Sequence, residues 1–235
     1  MSEKIIVRSI WITRILGLAG ALLALVSIIR LIIVYQVEPE LYPHGLALFN
    51  LDAENNLPIL FSVGLLLLST LILTCITSIN FTHKTPQRFG WLLLTLIFLL
   101  IAINKAVRFY GYITRQLIQI IRTISSDVIL YLFFVIIIVA AIGILIFFYR
   151  FSRQFQPKIR KALFIAAAIF LSGAVVLEMV GSSFYDPSGQ NNLVYQILSI
   201  FEETLEMAGI IAFIRVLIIY VSEVYTGFNF QFDPD

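Results

Sequence analysis

The sequence predicts an all-α fold: a polytopic integral membrane protein whose 235 residues form one domain of six transmembrane helices. The first observation behind this is composition, with 60% hydrophobic residues, only 13% charged and a mean hydropathy of +0.98. The second is arrangement. The apolar residues come in long unbroken runs, without the polar face that a helix in water requires, so lipid is the expected solvent. The third is that lysine and arginine gather in the connections, as they do at membrane surfaces. The net charge of +2 gives no reason to expect nucleic acid as a partner. Cys75 is the single cysteine, which excludes an intramolecular disulfide and any cysteine-built metal or iron–sulfur site.

The first helix is expected over about residues 10–36, with Lys4, Arg8 and Arg14 at its start and Arg30 near its end. Its charged beginning resembles a signal peptide, but the run is too long and lacks a small-residue cleavage site, so it reads as a retained helix. The connection after it carries Glu38, Glu40, His44, Asp52 and Glu54 and no lysine or arginine. Asn55 or Asn56 is placed to cap a second helix over 58–79, with Pro58 in the first turn, where a missing N–H costs nothing. The basic connection His83 to Arg88 leads to a third helix over 89–110, which Trp91 is expected to anchor at the interface.

Beyond Ile103 the chain turns amphipathic, and Lys105, Arg108, Arg115 and Arg122 fall within roughly a 100° arc. A fourth helix is expected over 128–149, and a second basic connection holds Arg150, Arg153, Lys158, Arg160 and Lys161, with Pro157 as a helix breaker. The fifth helix, 162–180, contains Glu178, and the sixth, 193–221, contains Glu202, Glu203, Glu206 and Arg215. Six crossings put both termini on one side. With that side inside, ten lysines and arginines fall on inner segments and four on outer ones, which orients the termini to the cytoplasm of a bacterial inner membrane or an equivalent internal membrane.

The glutamates of the sixth helix need partners, because an ionised carboxylate in hydrocarbon costs several kcal/mol. At a rise of about 1.5 Å per residue they sit roughly 10–17 Å below the outer end. Arg30, Lys105, Arg108 and Glu178 come to a similar depth from other helices. Glu202 and Glu206 share a face at i, i+4, so like charges repel unless a cation lies between them or one is protonated. Ala208, Gly209 and Ala212 allow a close helix approach below them.

Three uses compete. One is a structural ion-pair cluster of Arg30, Lys105, Arg108, Glu178, Glu202, Glu203 and Glu206. The second is a site for a cation, proton or polar ligand, with Glu178, Glu202, Glu203 and Glu206 as the cation ligands. The third, a catalytic metal centre, lacks its histidines: His44 and His83 fall on opposite sides, and no Glu-x-x-His pair exists. A carboxylate set without imidazole selects a hard divalent cation such as calcium, magnesium or manganese. No internal repeat relates the two halves, and neither glycine nor proline is seen to break an apolar run near the glutamates. Both points weigh against a transporter built on broken helices.

Three pieces carry a resemblance: Phe49-Asn50-Leu51-Asp52-Ala53-Glu54-Asn55-Asn56-Leu57-Pro58, Glu178-Met179, and Glu202-Glu203-Thr204-Leu205-Glu206-Met207. Over most of its length the chain resembles a group of uncharacterised bacterial multi-pass membrane proteins with carboxylate-rich fifth and sixth helices. The resemblance implies a carboxylate–histidine metal site completed by Asp-Glu and His-Glu pairs on the third helix. Here Asn104, Lys105, Tyr110 and Gly111 stand in those places, and a lysine ammonium can hold electrostatically the glutamates that a metal would otherwise bridge.

The resulting expectation is a non-catalytic structural or accessory subunit, without a cofactor, embedded in the bilayer against other membrane subunits or a second copy of itself. A small transporter, channel or ligand-binding protein is the alternative. For an enzyme acting on lipid or quinone, only Ser182, Ser183, Tyr185 and Tyr110 offer weak candidates.

Overall fold

The computed structural model describes residues 9–36, 48–49, 56–107, 139, 142–184 and 193–224. Among them are six helices: α1 Ser9–Gln36, α2 Leu57–Thr82, α3 Arg88–Val107, α4 Ile142–Ser152, α5 Pro157–Ser182 and α6 Leu193–Val224. Five of these, all but α4, are long and apolar enough to cross a membrane. The fourth expected span, 128–149, lies largely outside the described residues; its end is α4, which continues to Ser152.

Local chemistry sets the helix ends. The Asn56 side chain accepts a hydrogen bond from the Ile59 N–H at 2.7 Å, and Pro58 occupies the first turn. The connection to α3 is short, with Lys84 in the left-handed region at φ 50°. Pro157 does not break a helix; it starts one. Residues 153–156 leave the α4 path, and α5 begins at Pro157, where a proline's missing N–H lies outside the helical ladder. Lys158, Arg160 and Lys161, expected in a connection, therefore lie in the opening turns of α5.

Polar side chains inside the spans turn back on their own helices. Ser27, Ser69, Thr70 and Thr204 each donate to the carbonyl four residues earlier, at 2.7–2.9 Å, which satisfies hydroxyls that lipid cannot.

The helices pack around α6, which touches α1, α2 and α5, while α2 lies along α3. The seam between α3 and α6 is layered. Trp91 meets Tyr220 with ring centroids 4.8 Å apart, Phe98 stacks on Phe213 at 4.4 Å, and Lys105 reaches Glu206. Each layer lies seven residues further along α3 and seven residues back along α6. A seven-residue step keeps one face of each helix toward its neighbour in an antiparallel pair.

Trp91 is thus not an interfacial anchor. It is 1% exposed, enclosed by Phe151, Phe155 and Tyr220, and a side chain at Gly90 would overlap the Phe151 ring. Apolar side chains stay exposed on several helices, among them Leu18 and Leu22 of α1, Leu71 of α2, Leu100 of α3 and Val176 and Met179 of α5, and these faces suit lipid.

Candidate functional site

The third layer of the α3–α6 seam is charged. Lys105 stands on the face of Phe98 and Ala102, at i+7 and i+3 from them, so the packing that buries those two side chains carries the ammonium inward. Nζ donates to Glu203 Oε2 at 2.8 Å and also to Glu206 Oε2. The three side chains keep 10–14% of their exposure, so the pair operates out of bulk solvent and its Coulomb attraction is little screened.

The remaining residues of the expected cluster divide. Glu202, on the same turn of α6, makes no ion pair among the described residues, and neither does Glu178, which is exposed. Both lie within electrostatic range of Glu206 and of each other. Arg30 donates to Gln196 Oε1 at 3.5 Å, ten residues before Glu206 on α6, which ties α1 to α6 at a different level. Arg108 lies outside the described residues, as do Tyr110, Tyr185, His44, Asp52 and Glu54. Ser182 and Ser183 are exposed and donate to the Met179 carbonyl.

One feature of this region departs from the sequence expectation. Residues Ser172–Leu177 of α5 wind as a π-helix that ends directly before Glu178. A Cβ on Gly173 would lie 2.7 Å from the Glu202 carbonyl oxygen and 3.1 Å from the Glu206 amide nitrogen. A Cβ on Gly209 would lie 2.6 Å from the Phe170 amide nitrogen. The two glycines bring the backbones of α5 and α6 into direct contact at the carboxylate level. The expectation of an uninterrupted run near the glutamates is therefore corrected: α5 is irregular there, and Gly173 sits in the irregular turn. Of the small α6 residues flagged, Gly209 makes this close approach, whereas Ala208 is exposed.

Among the described residues the side chains do not assemble a carboxylate–histidine metal site. Lys105 occupies two of the four carboxylates, and among the described residues no three His, Cys, Asp or Glu side chains come together as ligands. What the arrangement does is hold α3 to α6 by a charge-assisted clamp, with two further carboxylates beside it. Residues 13–221 match a domain of unknown function, DUF8692. The chain belongs to that family. The match runs from the start of α1 almost to the end of α6, so all five long helices and the clamp fall within the DUF8692 domain. No curated protein matches the chain, and no solved structure does.

Proposed function

We propose that this DUF8692 protein is a non-catalytic membrane component, a structural or accessory subunit of a larger membrane complex or a homo-oligomer. The supporting observation is Lys105 on Glu203 and Glu206: the carboxylates most suited to a ligand are engaged by a cation of the chain itself. A clamp of this kind fixes helix register and leaves the lipid-facing sides of α1 and α5 for partners. In this reading the chain crosses the cytoplasmic membrane of a bacterium six times with both termini inside. Purification in mild detergent followed by native mass spectrometry tests it. A defined complex or oligomer is the expected result, and a lone monomer with turnover of its own overturns the proposal.

A second reading rests on Glu178 and Glu202 beside the π-helical turn, because π-turns concentrate at functional sites. Here these two carboxylates, without an ion pair among the described residues, relay a proton or bind a hard divalent cation, and the protein is a small transporter or channel. Proteoliposomes carrying Glu202→Gln decide the matter: lost ion flux or binding supports this reading, and flux identical to the unsubstituted protein removes it.

A further inference from the structure

On the opposite side of α6 from the clamp, α1, α5 and α6 enclose an open groove of about 760 Å³. Its lining includes Gly17 and Gly20 of α1 and Ala208 and Ala212 of α6 among larger apolar side chains, and its polar features are Thr13, Thr204 and two arginines, Arg14 and Arg215. Among the described residues no acidic side chain lines it. Two contacts fix the antiparallel register of α1 against α6: Arg30 with Gln196, and Gly20 with Ile211, whose Cδ1 would touch a Cβ there at 3.7 Å. Continued along the helices, that register sets Arg14 level with Arg215 across the groove. The Arg14 guanidinium is also 5.8 Å from the ring of the exposed Trp11, a residue type that favours the headgroup level.

Two guanidiniums at one level in a groove between apolar helices, with no carboxylate paired to either among the described residues, favour an anion between them. We propose that the groove binds an anionic phospholipid. Its phosphate lies between Arg14 and Arg215, and an acyl chain lies over the floor of Gly17, Gly20, Ala208 and Ala212. Guanidinium suits this role because it presents several planar donors to phosphate oxygens and stays charged at membrane depth. The shallow floor suits the chain, since each missing side chain leaves room for methylene groups.

Native mass spectrometry of the full chain from mild detergent, titrated with phosphatidylglycerol or phosphatidylcholine, tests the proposal. One phosphatidylglycerol is expected to stay bound at collision energies that strip phosphatidylcholine, and millimolar inorganic phosphate is expected not to displace it. Arg14→Gln and Arg215→Gln should each weaken retention about tenfold, the loss of roughly one charge-assisted contact. Thermal unfolding of each variant in phosphatidylcholine nanodiscs, matching the unsubstituted protein, establishes that the fold survives. Equal retention of the two lipids overturns the proposal, as does undiminished phosphatidylglycerol binding by the double variant. A dimer in place of lipid adducts assigns the groove to a second copy and likewise overturns it.

Discussion

Lys105 Nζ lies 2.8 Å from Glu203 Oε2, joining two helices whose contributing residues are 98 positions apart in the chain. The same ammonium holds Glu206, so removing it leaves two carboxylates facing each other in a nearly dry seam. Lys105→Met is expected to destabilise by about 3–5 kcal/mol, because the greater part of the cost is the uncompensated buried charge. Adding Glu203→Gln and Glu206→Gln to Lys105→Met should restore most of that loss. Equilibrium unfolding in mixed micelles measures both. A triple variant as unstable as the single one would mean that the lysine acts through packing rather than charge.

The two glycines facing the α5–α6 contact give a second expectation. At Gly173 and Gly209 the nearest atoms to an added Cβ are backbone atoms, 2.7 and 2.6 Å away, which cannot rotate aside. Gly173→Ala and Gly209→Ala should each cost on the order of 1–3 kcal/mol by forcing the helices apart. Gly20→Ala is the control, since its neighbours are side-chain ends at 3.7 Å, an ordinary contact distance. Equal thermal shifts for all three would show that α5 and α6 are not in backbone contact.

Trp91 separates size from polarity. Its ring fills the layer between Phe151, Phe155 and Tyr220, yet Nε1 is buried with no hydrogen-bond partner among the described residues. Trp91→Ala should cost about 3–5 kcal/mol through the cavity it leaves. Trp91→Phe should cost much less, since the smaller ring loses some contacts but also removes an unsatisfied donor. The two variants are compared by urea or dodecyl sulfate titration against a common baseline.

Much of this was legible in the chain. Long apolar runs, the Asn56 cap and the carboxylate-rich turn around Glu206 all have one-dimensional signals, and Lys105 stands out as a cation within an apolar helix. Trp91 was misread because an interfacial and a buried tryptophan have the same flanking sequence; only its seven-residue spacing to Phe98 and Lys105 distinguishes them. That spacing, mirrored by Glu206, Phe213 and Tyr220, was the available signal for the α3–α6 seam. The sequence offers Arg14 as a charge at the start of the first helix and Arg215 as one within the sixth; that both line one groove depends on the antiparallel register of α1 and α6. The π-turn has no such signal: nothing in Ser172–Leu177 distinguishes it from the apolar helix around it. It accompanies the approach of Gly173 to α6, which is a tertiary event.

The α2–α3 contact provides a last prediction. Thr77 Oγ1 and Thr95 Oγ1 are 2.9 Å apart and buried, and the Thr95 hydroxyl also lies 2.8 Å from the Trp91 carbonyl, to which it donates. A hydroxyl has one proton, so Thr77 must be the donor between the helices. Thr77→Val and Thr95→Val keep the shape and remove the bond. A double-mutant cycle should return a coupling of about 0.6 kcal/mol, the usual size for an interhelical hydrogen bond in a membrane protein. The two single variants should differ. Thr77→Val leaves Thr95 still donating to Trp91, whereas Thr95→Val strands the Thr77 hydroxyl until it rotates back to its own helix. Thr95→Val is therefore expected to be the more costly, and equal losses would mean that Thr77 already donates within α2.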